Sequence, residues 1–149
     1  AFAKAGVAAP ALFATVAAES SKKIAMFSPQ ELSNTVWAYA TAGVEAPVLF
    51  EAISVESPKK IATFTPQALA STVWAYSTAR VVAPALFRAV AAEASRKIAT
   101  FNSQELANIV WAYATAGVAA PALFEAVAVE SSKKIERSTR RRSRTPCGL

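Results

Sequence analysis

Three tryptophans, Trp37, Trp74 and Trp111, recur at an interval of 37 residues, and a small hydrogen-bonding side chain precedes each by three positions: Asn34, Ser71 and Asn108. An indole offers a flat π-face for stacking, and an amide or hydroxyl near it can donate to or accept from the edge of a stacked ring. Such a set could read planar ligands with polar edges, and unstacked nucleic-acid bases are of that kind. Burial accounts for the same residues in another way: the indoles wedge between neighbouring helices, and the amides form local hydrogen bonds or simply face water. A second periodic set is cationic. Lys22, Lys59, Arg96 and Lys133 stand one per interval, each followed at once by a second cation, Lys23, Lys60, Lys97 and Lys134. The second member always follows a glutamate by four residues, from Glu19, Glu56, Glu93 and Glu130. That orientation stabilises a helix by about 0.2–0.5 kcal/mol per pair, so local pairing explains it. The first member has no carboxylate at that spacing, which leaves four less committed charges in a row. They suit a phosphate backbone, and solvation alone accounts for them equally well.

Other chemistry is poorly provided for. The chain has no histidine and no aspartate, which removes the usual triads, the usual general bases near neutral pH and most metal sites. The glutamates fall at helix starts or beside lysines, and the four glycines form no phosphate-binding loop. The expectation is a protein that is not an enzyme, with no catalytic residue, metal or cofactor.

The elements that must position these side chains are legible from their ends. Ser28-Pro29-Gln30-Glu31 reads as the N-cap and first turn of a helix, with Glu31 closing a capping box and Phe27 and Leu32 forming a hydrophobic staple. Phe64 with Leu69 and Phe101 with Leu106 repeat the staple. Gly43 suits a left-handed C-terminal position, with Val44 reaching back to Tyr39, so a first helix spans Pro29 to Ala42. Pro47 opens a second helix carrying Leu49, Phe50, Ile53 and Ile61 on one stripe. On the first helix, Leu32, Val36 and Tyr39 point toward the second, while Gln30, Asn34, Trp37 and Thr41 point the opposite way. Three departures stand out. Arg80 takes the place of Gly43 and Gly117, at a cost of about 1 kcal/mol if the left-handed ending is kept. Ala68 lacks the capping-box carboxylate. Pro58 falls inside a second helix and predicts a kink or break near Val55 to Ser57.

Self-similarity at this period predicts an all-α fold, an α-solenoid of about 37-residue helical hairpins. The expected units are a partial repeat at 1–26, repeats at 27–63, 64–100 and 101–137, and a basic disordered tail at 138–149. Most of the net charge of +6 comes from Arg137, Arg140, Arg141, Arg142 and Arg144, which cluster near the C-terminus, and residues 1–136 are nearly neutral. The lone Cys147 excludes a disulfide framework and a cysteine metal cluster. No apolar run is long enough to span a bilayer, so no membrane insertion is expected. Ala1-Phe2-Ala3-Lys4-Ala5-Gly6 matches Ala38 to Gly43, and no polar capping helix is legible at either end, so the expected parent is a longer protein.

The stretch Phe27 to Gly43 with Ala46 to Ile53, and above all the Leu-x-Asn-x-x-Trp-Ala core at Leu32 to Ala38 and Leu106 to Ala112, resembles the heptatricopeptide and octotricopeptide repeats of organellar RNA-binding proteins. These are similar in turn to the leucine-rich repeats of the FAST kinase family, whose members often carry a RAP domain; nothing here resembles that domain. The resemblance covers residues 1–136. It implies binding of single-stranded RNA along a helical superhelix, with Asn34, Ser71 and Asn108 facing bases beside Trp37, Trp74 and Trp111. Phosphates would lie toward Lys22, Lys59, Arg96 and Lys133. It further implies a role in RNA processing, stability or translation in the mitochondrial matrix or chloroplast stroma, with other organellar RNA-processing proteins as further partners. Repeat two departs from the pattern at Ser71 and Arg80. The alternative is a protein-interaction scaffold, since near-neutral α-solenoids commonly bind other proteins.

Overall fold

Ser28, Thr65 and Asn102 each sit in extended backbone and accept a hydrogen bond from the amide three residues on, at Glu31, Ala68 and Glu105. These caps start the first-type helices where the sequence places them. Glu31 and Glu105 reach back to close a capping box, which Ala68 cannot do. The structure, a computed structural model, describes residues 10–144. Its helices are α1 (Pro10–Lys23), α2 (Pro29–Ala42), α3 (Pro47–Lys60), α4 (Pro66–Ala79), α5 (Pro84–Lys97), α6 (Ser103–Ala116) and α7 (Pro121–Arg144). No strand occurs among the described residues. The partial first helix read at 1–6 and the lone Cys147 lie outside them.

The helix ends follow from backbone conformation. Gly43 and Gly117 both have φ +70°, and the amides of Val44 and Val118 reach the carbonyls of Tyr39 and Tyr113 at 3.1 Å. Arg80 keeps the same ending at φ 60°, with the Val81 amide 3.0 Å from the Tyr76 carbonyl. The left-handed strain on Arg80 is therefore present, and the surrounding packing tolerates it.

Two expectations are corrected. Helix α3 runs unbroken from Pro47 to Lys60, the same length as α1 and α5, so Pro58 produces no break near Val55 to Ser57. Pro58 lies in the final turn, where its missing amide removes one hydrogen bond, and Glu56 and Ser57 just before it are buried. The basic segment is not a disordered tail from 138 onward, because α7 continues to Arg144. After α1, α3 and α5 the chain passes through a 3-10 turn, at Ile24–Met26, Ile61–Thr63 and Ile98–Thr100, before the Phe that precedes the next helix. After Arg137 neither that Phe nor a capping residue with proline follows, and arginine favours helix, so nothing stops the helix there.

The helices form two sets. α2 packs on α4 and α4 on α6; α1 packs on α3, α3 on α5 and α5 on α7; and α2·α3, α4·α5 and α6·α7 form hairpins. Contact within the first set is much the more extensive. Its buried flanks are small, with Ser33, Ala70, Ala75, Ser77 and Ala112 almost wholly enclosed, so the backbones approach closely. Between the sets lies the core of Leu32, Val36, Leu49, Phe50, Ile53 and their counterparts. Each burial of this kind contributes about 1.5–3 kcal/mol.

Three tyrosines connect one hairpin to the next. Tyr39 and Tyr76 donate to the carbonyls of Phe13 and Phe50 at 2.5 Å, and Tyr113 donates to that of Phe87. Each ring also meets the same phenylalanine edge-on, with centroids 5.0–5.1 Å apart. Burial pushes all three phenol pKa values up, so the hydroxyls remain donors.

Candidate functional site

The outward stripe of the first set of helices carries the residues singled out for stacking and edge contact. Asn34 is exposed, and Ser71 and Asn108 are half-buried. Trp37 and Trp111 are 36% and 47% exposed, and Trp74, between them in the series, is half-buried. The indoles of Trp74 and Trp111 lie with centroids 6.4 Å apart and planes tilted by 32°. α4 and α6 thus bring two indoles against each other, and a substantial part of the tryptophan surface still meets water.

Local hydrogen bonding claims part of the amides. Gln30 Nε2 donates to Asn34 Oδ1 at 2.9 Å, and Gln104 Nε2 donates to Asn108 Oδ1 at 3.0 Å. This uses the acceptor of each asparagine and leaves its NH2 group free of that bond. Thr41, at the far end of the stripe, has a buried hydroxyl oxygen with no hydrogen-bond partner among the described residues.

Of the cationic series, Lys22, Lys59 and Arg96 stand in the last turns of α1, α3 and α5, and Lys133 stands within α7. Lys22, Lys59, Arg96 and Lys133 are exposed. The first member has no carboxylate four residues back, yet two of the four are less free than that spacing implies. Arg96 meets Glu93 at 2.8 Å, and Lys59 approaches Glu56 at 3.8 Å. The glutamate stands three residues earlier, and on a helix that spacing also places side chains together.

The second cations do more than pair within their own helix. Lys60 and Lys97 lie 3.5 and 3.1 Å from Glu56 and Glu93, and Lys134 lies 3.9 Å from Glu130. Lys60 also donates to the carbonyls of Ala25 and Phe27 at 2.8 and 2.6 Å, and Lys97 to those of Ala62 and Phe64 at 2.9 and 2.7 Å. Each ammonium thus ties the end of one helix to the turn of the preceding unit. Sequence reasoning missed this, although the 37-residue period was the signal for it.

No family model, curated protein or solved structure matches the chain. The structure offers partly exposed indoles, amide donors near them, and exposed cations of which Arg96 and Lys59 have carboxylates within reach. No helix among the described residues is long and apolar enough to cross a membrane.

Proposed function

We propose that the chain is an α-solenoid that binds single-stranded RNA and serves organellar RNA processing, stability or translation, in mitochondria or chloroplasts. In this reading Trp37, Trp74 and Trp111 stack on bases, the free NH2 groups of Asn34 and Asn108 and the hydroxyl of Ser71 meet base edges, and Lys22, Lys59, Arg96 and Lys133 hold phosphates. The observation that supports it best is the partial exposure of all three indoles on corresponding turns of α2, α4 and α6. The denser contact among these helices than among α1, α3, α5 and α7 makes their side the inner one if the array curves. The organelle follows from the sequence resemblance alone.

The test is fluorescence titration of the full chain with a labelled oligouridine, before and after Arg137, Arg140, Arg141, Arg142 and Arg144 are changed to Gln. Binding that survives those changes, weakens with salt and falls roughly 5- to 150-fold on Trp111→Ala supports the reading. Binding that disappears with the arginines assigns the RNA affinity to the C-terminal segment instead.

One observation favours the rival, a protein-interaction scaffold. Arg96 and Lys59 are drawn toward buried glutamates, which lowers the positive potential that these cations can offer to phosphates. Absence of RNA binding at low salt would leave that rival as the better account.

A further inference from the structure

Two clefts of about 470 Å³ each open beside the turns that join paired helices. One lies between the α2–α3 turn and the end of α4, the other between the α4–α5 turn and the end of α6. They correspond at the 37-residue interval: Val44, Ala46 and Phe50 of the first return as Val81, Ala83 and Phe87 of the second. The two phenylalanines and Ala83 are buried, while Val44, Ala46 and Val81 are half-buried, so the apolar walls are only partly covered.

The repeated shape carries charge that does not repeat. Arg80 lines both clefts, at the position that Gly43 and Gly117 hold in the neighbouring units. Glu45 lines the first cleft, and its counterpart in the second is Val82. Both charged residues are exposed, and neither the Arg80 guanidinium nor the Glu45 carboxylate has an ion-pair or side-chain hydrogen-bond partner among the described residues. The left-handed backbone at Arg80 costs stability that a glycine would not, and no bond made by its side chain within the chain offsets that cost. A guanidinium shared by two apolar clefts presents its planar fork to a carboxylate that arrives from outside.

We propose that the two clefts together bind an extended segment of a partner protein, with one apolar side chain in each cleft and an acidic residue between them against Arg80. Spacing supports a linear ligand. Packed helices lie about 8–10 Å apart, which sets the distance from one cleft to the next. A polyproline-type segment rises about 3.1 Å per residue with three residues per turn, so apolar side chains three positions apart share a face and stand about 9 Å from each other. Glu45 adds a preference for a basic residue beside the first apolar one, and it repels a phosphate backbone. No tryptophan and no member of the periodic cationic series lines either cleft, so the proposal is independent of RNA binding.

The probes are end-blocked, fluorescein-labelled peptides of sequence Lys-Leu-Pro-Glu-Leu and, for the opposite chain direction, Leu-Glu-Pro-Leu-Lys, titrated with the full chain by fluorescence anisotropy. One of them should bind with a Kd below about 1 mM. Changing the peptide's Glu to Gln, or Arg80→Gly in the protein, should weaken binding about 5-fold, the upper range for an exposed ion pair. Changing either Leu of the peptide to Ser should weaken it about 10-fold. Arg80→Gly relieves the backbone and should fold at least as well as the unaltered chain, so its loss of binding is not a loss of structure. Arg80→Glu should in turn favour the peptide in which Lys replaces the acidic residue. The proposal is overturned if neither peptide binds, if Arg80→Gly or the Gln peptide binds as well as the original pair, or if oligouridine displaces the bound peptide. Self-association of the unaltered chain that Arg80→Gly abolishes would give the clefts to a second copy, and overturns it too.

Discussion

Ala70 and Ala107 occupy the same place in the 37-residue pattern, in α4 and α6, yet Ala70 is 2% exposed and Ala107 is open to solvent. Leu49 and Leu12 differ in the same way, at 1% and 47%. The middle of the molecule and its ends are built from nearly the same sequence, so the difference belongs to the neighbours. A residue in this chain is core only if the adjoining hairpin is there to cover it, and each hairpin touches little beyond the units beside it.

The sharpest way to break this comparison is a charge at both alanines. Ala70→Arg forces a guanidinium between α4 and α6 and should cost about 3–5 kcal/mol. Ala107→Arg should change unfolding stability in urea by no more than about 0.5 kcal/mol. Equal effects would mean that α6 is covered as fully as α4.

High pH tests the tyrosines that join the hairpins. Burial raises the phenol pKa of Tyr76 and Tyr113 above the ordinary 10.0, and Glu51 adds to the rise at Tyr76. The stability that these neutral hydroxyls support is fully present below that ordinary value. As pH climbs above it, the unfolded chain loses protons that the folded chain keeps, so stability falls by up to about 1.4 kcal/mol per pH unit for each tyrosine. Tyr76→Phe should flatten the denaturation midpoint against pH, and a slope unchanged by that substitution would sink the assignment.

The buried glutamates give a smaller contrast. Glu93 is 4% exposed and lies beside Arg96 and Lys97, while Glu19 is exposed. Glu93→Ala should cost about 1–2 kcal/mol, a figure held down because the Arg96 side chain is largely in water, and Glu19→Ala should cost close to nothing. Paired thermal melts of the two variants decide it.

The smallest effect expected is a gain. Arg80 is the one non-glycine residue with positive φ among the described residues, and a Cβ at the matching Gly43 and Gly117 would meet nothing within 4 Å. The cost at Arg80 is thus conformational rather than steric crowding by neighbours. Arg80→Gly should stabilise the middle unit by about 0.5–1 kcal/mol, measured by denaturant midpoint. A loss of stability would show that the arginine side chain contributes more than its backbone costs.

Much of the fold was legible because helix ends are local events. Ser28, Glu31, Gly43 and Pro47 act through bonds to residues three to five positions away, which a linear reading can see. The continuation of α7 to Arg144 and the unbroken α3 were not legible, since both depend on what the chain lacks or packs against at those points. The candidate stripe was half legible. The helical period gave the direction of Asn34, Trp37 and Thr41, but the Gln30–Asn34 bond and the approach of Trp74 to Trp111 required two side chains to choose rotamers together. The carboxylates beside Arg96 and Lys59 were present in the sequence at a spacing of three, and only the burial of Glu93 and Glu56 made that spacing matter.

The amino-acid sequence by itself determined that the chain is helical, where a helix such as α2 begins and ends, and which face of it turns inward, because capping, turn chemistry and the 3.6-residue period act over a few residues. Tertiary structure alone decided which flanks of α4 are sealed and which ammonium ties one helix end to the carbonyls of an earlier turn. Those outcomes depend on atoms brought together from 26 to 35 residues apart, as in the Tyr76–Phe50 and Lys97–Ala62 contacts, and on the desolvation that only a packed neighbour imposes.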